Sequence, residues 1–380
     1  MNNFLLKIKK VFFILLALFL LYILWLSFIL LTFKTHRAPT SEASPLEIEG
    51  VYHLHTTFSD GRKSQDEILK LTSKEELDFI IFTDHGAPNM ESYSSQGWKD
   101  GILVLSGCEL YVNRGHLVGV GFTPPQRVFS NNAEEAVDEI KKQGGFSIIP
   151  HPYSSTTWTW GEFVDYSGIE IINAYSRLME KDLFLIPYAP ALLFKPEYLL
   201  LKMLVRPDKN LKKWDELNTI HPIYGYFCSD AHRLYRSLLN LLRSHLLLQA
   251  PLSEDFETAS KQVYEALRKG RFYNSIHAAA HAHGFRFRGE KMGEMIPMGS
   301  TVLLDSPVRL HIKAPFRFKK EIHLIHNGKV ILRSTEENVI YEALLPGTYR
   351  VEVYLRARSP LRKNIPWVVS NPIFLIENKK

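Results

Sequence analysis

The segment VYHLHTTFSDG sets His53 and His55 two residues apart, with Asp60 five residues further on. On a strand, residues i and i+2 project to one side, so the two imidazoles can grip one ion. Histidine pairs of this kind are common and mostly structural, so the spacing gains meaning only from the donors further along the chain. FIIFTDH closes on Asp84 and His85, LVLSGCE on Glu109, and HLVGVG opens on His116. FSIIPHPY delivers His151, and YFCSDAH delivers Asp230 and His232. Nine nitrogen and oxygen donors, His53, His55, Asp60, His85, Glu109, His116, His151, Asp230 and His232, therefore lie at or beside strand-like runs. Imidazole and carboxylate without thiolate suit Zn, Mn or Fe as divalent ions, and nine donors exceed the needs of one or two ions. The expectation is a cluster of two or three.

Such donors converge only if the chain places strand ends on a common face. From residue 50 to 287, short apolar runs alternate with helix-patterned stretches: Ser64–Leu77, Ala133–Gly144 and Phe256–Lys269. That alternation predicts an α/β fold with a parallel sheet or barrel, whose strand ends gather side chains at one mouth. After residue 288 the texture becomes alternating strands and turns, with Asn327–Gly328 as a hairpin signal and Pro346–Gly347 as a second turn. A C-terminal antiparallel β-sandwich over 288–380 is expected.

Residues 11–33, VFFILLALFLLYILWLSFILLTF, carry no charge and are long enough to cross about 30 Å of hydrocarbon. The run is longer than the apolar part of a cleavable signal, so an uncleaved transmembrane helix is expected after an N-terminal tail of residues 1–10. Residues 34–49, with Pro39 and Pro45, read as a linker. Lys7, Lys9 and Lys10 precede the span and Lys34 and Arg37 follow it, which tilts the orientation toward an extracytoplasmic catalytic domain, periplasmic or at the cell surface. The stretch Phe184–Val205 is apolar but broken by Pro187, Pro190 and Pro196, and reads as an excursion packed on the domain or lying on the bilayer.

The chain has 380 residues, 46 Lys and Arg against 40 Asp and Glu, and a net charge of +6. The basic residues are dispersed rather than gathered in a stripe, which argues against nucleic acid as a partner. Its two cysteines, Cys108 and Cys228, read as buried free thiols. HAAAHAHG places His277, His281 and His283 at metal-like spacing, but no acidic residue accompanies them locally. These histidines, and His221, read as structural. Nothing in the sequence sets an oligomeric state.

The ordered set HLHTTFSDG, FTDH, GCEL, GHLVG, PHPY and CSDAH, over residues 50–287, resembles the PHP (polymerase and histidinol phosphatase) superfamily. That resemblance implies a distorted (β/α)7 barrel and a two- or three-metal site for phosphoester hydrolysis. Carried over by motif, His53, His55, Glu109 and Asp230 would share one metal. Asp60, His85 and His232 would serve a second, and His116 and His151 with Glu109 a third. At Asp60 some members carry His instead. The C-terminal pieces HNGKVI, LLPGTYRVEVYL and PWVVSNPIF resemble the CehA/McbA-like branch, which includes carbamate hydrolysis.

The implied chemistry is attack by a water acidified between the ions, with the cations neutralising the phosphoryl oxygens. Asp84, beside a ligand, is expected to orient a histidine or that water. Arg114, Tyr153 and Arg233 are candidates for phosphate oxygens. The sequence thus points to a membrane-anchored phosphoesterase acting on a small or lipid-proximal phosphorylated substrate. An amide or carbamate hydrolase on the same site, and a membrane-tethered binding module with a relic barrel, are the alternatives.

Overall fold

A computed structural model describes residues 2–37, 44–72, 77–113, 115–125, 127–154, 158–162, 164–180 and 182–377. The fold is mixed α/β with a large share of sheet. Apolar four- to six-residue runs form its inner strands: all four side chains of Phe79–Phe82 are fully buried, as are those of Val104 and Leu105. Two of the helices that cover them are amphipathic and capped by side chains. Ala133–Lys142 buries Ala133, Ala136, Val137 and Ile140 along one stripe, and the Asn132 side chain accepts from the Glu134 and Glu135 amides. Phe256–Arg268 is capped in the same way by Asp255 on the Thr258 amide.

Two sheets carry the candidate site. In the first, Glu47–Tyr52 lies parallel to Phe79–Phe82, which lies parallel to Ile102–Ser106. On its other edge Glu47–Tyr52 meets Arg243–Leu247, and that strand meets Phe272–Ser275, both antiparallel. The second sheet runs Cys108–Val112, Gly115–Val120, Phe146–Ile149, Gly168–Asn173, Tyr224–Cys228. Its first two strands are joined by two residues, which permits only an antiparallel pair because a parallel one needs a crossover of about a dozen residues. The regular β/α alternation expected from the sequence is interrupted there. Between the two sheets the backbone contacts are single bridges, Leu54 to Ala231 and His85 to Glu109. Both seams fall among the predicted donors.

The C-terminal strands do not form a body hydrogen-bonded only to itself. Phe272–Ser275 pairs along its outer edge with Pro366–Ser370, so the first sheet continues through Gly347–Leu355 into Lys320–His326 and Lys329–Ser334. A separate sheet holds Glu294–Pro297, Arg286–Lys291, Val308–Lys313 and Asn338–Ala343, and residue 288 lies inside one of its strands. Asn327 and Gly328 both have positive φ, 47° and 76°, as the hairpin between Lys320–His326 and Lys329–Ser334 requires.

The N-terminal helix runs Asn2–Thr32, and its Leu5–Thr32 portion has a mean hydropathy of 2.9, long and apolar enough to cross a membrane. Most of its side chains face outward, but Leu26 and Leu30 pack against Ala191, Tyr198 and Leu199. After it, Thr35 Oγ1 donates to the Ala278 carbonyl and His36 bridges Ala280. The first strand begins at Glu47, inside the segment read as linker, of which residues 38–43 lie outside the described residues.

Candidate metal centre

Each donor reaches the site from a strand end or the turn after it. His53 and His55 follow Glu47–Tyr52, Asp84 and His85 follow Phe79–Phe82, and His151 follows Phe146–Ile149. Asp230 and His232 follow Tyr224–Cys228, while Glu109 and His116 lie within the paired strands Cys108–Val112 and Gly115–Val120. His53, His151 and Asp230 have φ of 65°, 27° and 48°, a region L-residues enter at a cost. Three of the nine donors are therefore aimed by strained backbone.

All nine come together in three adjoining groups. In the first, Glu109 Oε2 lies 3.2 Å from His53 Nε2 and 3.1 Å from His55 Nε2, and Asp230 Oδ1 lies 3.5 Å from each. In the second, Asp60 faces His232 Nε2 at 3.2 Å, His55 Nδ1 at 3.5 Å and His85 Nε2 at 3.7 Å. In the third, Glu109 Oε1 lies 2.8 Å from both His116 Nδ1 and His151 Nε2. Glu109 thus turns one oxygen to the first group and the other to the third.

Two atoms test whether a metal ion fits. His55 Nε2 and Asp230 Oδ1 are buried and make no hydrogen bond among the described residues. A buried polar atom without a partner costs roughly 1–3 kcal/mol. Both atoms face the space enclosed by His53 and Glu109, where each imidazole nitrogen stands 3.1–3.5 Å from each carboxylate oxygen. Donors about 2.0–2.2 Å from one ion fall at such separations. The donor types and spacing fit a divalent cation.

The electrostatics point the same way. Burial pushes the Glu109 carboxyl up, but His53, His116 and His151 outweigh it and hold the group well below the usual range. Burial would also deprotonate His53, yet Glu170, Asp230 and Glu109 drive its pKa well up. His55 is raised to about 9 against burial by Asp230 and Glu109. Protonated histidines stand where positive charge is wanted, and a metal ion supplies the same charge.

The structure adds a carboxylate that sequence reasoning missed. Glu170, fully buried on Gly168–Asn173, places Oε1 2.5 Å from His53 Nδ1, while its Oε2 accepts from the His151 amide at 2.7 Å and from Asn173 Nδ2 at 3.1 Å. Asn173 Nδ2 also donates to Asp230 Oδ2 at 3.0 Å. The signal was a lone acid inside the apolar run IEIINA.

Among the described residues no hydrogen bond of Asp84 goes to a histidine, one of the two roles expected of it. Its Oδ1 accepts from the Thr56 amide at 2.6 Å and from Ser59 Oγ at 2.7 Å, and its Oδ2 from Thr56 Oγ1 at 2.9 Å. It ties down the loop between His55 and Asp60, and reaches His55 only through Ser59, whose Oγ is 3.5 Å from His55 Nδ1. A carboxylate at a strand end found nearer donors in the neighbouring loop.

A cavity of about 1000 Å³ opens over the second and third groups, and Tyr153 lines it. Arg233 does not: it is exposed, its guanidinium lying over the Tyr175 ring and donating to Met179 Sδ. Arg114 lies outside the described residues. The basic groups lining the cavity are Arg177, Arg206 and Lys209, which sequence reasoning did not single out.

Two of the HAAAHAHG histidines have acidic partners, far from them in sequence. His277 Nδ1 is 2.8 Å and His283 Nε2 2.7 Å from Glu49, at the opposite end of the strand that leads to His53. Arg243 also pairs with Glu49, and Arg286 with Glu47, so the two carboxylates are balanced by two guanidinium groups. Cys108 and Cys228 are buried free thiols.

Residues 52–189 match the family model described as PHP domain. The chain carries a PHP domain. Seven of the nine donors fall inside that match, and Asp230 and His232 lie beyond it. An uncharacterized protein of Methanocaldococcus jannaschii, MJ1587, is 29% identical over 140 residues, covering 33% of this chain and 81% of the relative. Among solved structures, the chain is similar to a two-domain protein from Bacteroides vulgatus containing a predicted PHP-like metal-dependent phosphoesterase. The identity is 14% and the TM-score 0.44, over 90% of this chain and 99% of that one. An amidohydrolase from Chromobacterium violaceum, with bound SO4 and no metal, overlaps 48% of this chain and 87% of its own at 15% identity and a TM-score of 0.31. At those TM-scores the overlap is loose, and the PHP domain and the donor geometry carry the functional reading.

Proposed function

We propose that this PHP-domain chain is a membrane-anchored, metal-dependent hydrolase of phosphate esters. The observation that carries the reading is the pair of buried atoms His55 Nε2 and Asp230 Oδ1, which make no hydrogen bond among the described residues and stand in a ring of donors spaced for a cation. His53, His55, Glu109 and Asp230 would hold one ion, Asp60, His85 and His232 a second, and His116 and His151 with Glu109 a third. Divalent ions so bound supply Lewis acidity, lowering the pKa of a water and neutralising phosphoryl oxygens.

The chain's own groups do the rest. Glu170 fixes the His53 ring through Nδ1, so that Nε2 faces the site. Asp84 and Ser59 hold the loop that aims Asp60. Lys209, at the cavity wall, presents positive charge to an anionic substrate, Arg206 beside it being paired with Asp208 and Glu352, and Tyr153 borders the same space. The proposed topology is a single span with the tail bearing Lys7, Lys9 and Lys10 in the cytoplasm and the catalytic domain outside it.

Hydrolysis of p-nitrophenyl phosphate and bis(p-nitrophenyl) phosphate by the full chain in detergent, with Mn²⁺, Zn²⁺ or Fe²⁺, tests this. Turnover that chelation abolishes and His53→Ala lacks is the expected result. Absence of turnover on both esters by protein shown to bind metal contradicts it.

A further inference from the structure

The helix Asn2–Thr32 and the segment Leu183–Phe194 are bound together. Tyr22 donates its hydroxyl to the Pro187 carbonyl at 3.0 Å, and the Trp25 ring meets the Tyr188 ring with centroids 5.4 Å apart. Leu26 and Leu30 pack on Ala191, Tyr198 and Leu199. We propose that Leu183–Phe194 is a second membrane-inserted element, and that it opens the catalytic cavity toward the bilayer so that the substrate is a lipid bearing a phosphate ester. This rests on the reading of the chain as an anchored phosphoesterase.

The depth comes from helix geometry. Lys7, Lys9 and Lys10 mark one end of the charge-free run that starts at Val11. Tyr22 lies eleven residues further, about 16 Å along an axis that rises about 1.5 Å per residue, roughly midway through a hydrocarbon layer about 30 Å thick. Whatever Tyr22 and Trp25 touch is carried below the far interface with them. Pro187 and Tyr188 are what they touch.

The side chains suit that depth. Leu183, Phe184, Ile186, Leu193 and Phe194 all face outward, with Phe184 87% and Leu193 82% exposed. A cluster of large apolar groups so exposed is costly in water and favourable in lipid. Its backbone is a 3-10 helix, Leu183–Tyr188, followed by a turn of α-helix, Ala191–Phe194, and the Leu185, Ala189, Leu192 and Leu193 amides donate to carbonyls three residues back. Leu183–Phe194 itself carries no charge; Lys202 Nζ lies over the Tyr188 ring, 5.4 Å from its centroid. Lys195 Nζ reaches the Phe33 carbonyl at 2.9 Å, at the end of the charge-free run, and Asp182 is paired with Arg177 and Arg362.

The connection to the site is through the two stems of the excursion. Arg177, Met179 and Glu180 lead into it and Leu204–Asn210 lead out, and both stretches line the cavity over the donor cluster. A lipid held at the excursion would present its headgroup to Lys209.

The test uses the full chain in nanodiscs with spin labels placed singly at Leu18→Cys, Phe184→Cys, Leu193→Cys and Ile331→Cys; native Cys108 and Cys228 are buried. Labels at 18, 184 and 193 quenched by oxygen, with 331 quenched by a water-soluble nickel chelate, is the expected pattern. A label at 18 in lipid with 184 and 193 in water overturns the insertion and leaves the anchor standing. A label at 18 in water overturns the anchor and the insertion with it. For the substrate, proteoliposomes of phosphatidylcholine with phosphatidic acid and phosphatidylglycerol are assayed beside p-nitrophenyl phosphate. The doubly substituted Phe184→Glu, Leu193→Glu chain should lose at least tenfold on the lipids and keep its rate on the soluble ester. Turnover of the soluble ester by the unaltered chain with none of either lipid, or an equal loss on both substrates, overturns the lipid assignment.

Discussion

Glu170 Oε1 lies 2.5 Å from His53 Nδ1, with both side chains fully buried. This single contact fixes which nitrogen of His53 faces Glu109 and Asp230, because Nδ1 is already engaged. Glu170 also accepts from the His151 amide, so one carboxylate orients two donors on different strands.

Glu170→Gln should therefore weaken metal binding about 10- to 100-fold while the chain still folds. Elemental analysis after dialysis against graded metal concentrations reads the affinity, and circular dichroism the fold. Unchanged affinity would show that His53 needs no such partner.

Asp84→Asn removes the charge that receives the Thr56 amide and Ser59 Oγ. Hydrogen bonds to a charged group contribute about 1.5–3 kcal/mol, so a clear fall in the thermal midpoint is expected, with a smaller one for Ser59→Ala. Because the loop aims Asp60, both changes should also loosen metal in the second group. An Asp84→Asn chain with full stability and full metal content would show that Asp84 does not hold this loop.

Metal should stabilise the fold, since ions that bind only the native state add about 2.7 kcal/mol at a hundred times their Kd. Scanning calorimetry with and without Mn²⁺ or Zn²⁺ should show a higher midpoint with the ion, and Asp230→Asn should shrink the gain. Equal midpoints in chelator and in metal would argue against a preformed site.

The histidines at the other end of the same strand give a pH dependence of their own. Burial lowers the His283 pKa, but Glu47 and Glu49 outweigh it and raise it to about 10. A histidine whose pKa is raised on folding stabilises fully below about 6.5 and loses that contribution as pH climbs to 10. His283→Gln should lower the thermal midpoint at pH 6 and have little effect at pH 10. His281 is opposite in sign: burial and then His277 lower it to about 3, so its protonation opposes folding as pH drops below 6.5. An effect of His283→Gln that is equal at pH 6 and pH 10 would contradict the charge assignment.

Legibility in the sequence obeys a physical rule. The donors at His53, His55, His85, His151, Asp230 and His232 sit just past apolar runs, so strand periodicity alone says that they share a mouth. Glu170 lacks such a flag, being an acid within a strand whose partner is 117 residues away. Glu47 and Glu49 were invisible as partners of His277 and His283 for the same reason. Alternation marked the C-terminal strands, but nothing in it says that Pro366–Ser370 would close on Phe272–Ser275 and extend the first sheet. The Tyr22 to Pro187 bond likewise joins segments 165 residues apart, and only their shared apolarity hinted at it.

The central claim is that this site cleaves at phosphorus. The most direct measurement is metal-dependent turnover of bis(p-nitrophenyl) phosphate by the full chain in water enriched in ¹⁸O, with mass analysis of the phosphorylated product, beside His55→Ala. One ¹⁸O in each product phosphate, lost with the variant's turnover, is the expected result. Turnover that leaves the phosphate unlabelled, or that survives the loss of His55, would contradict it.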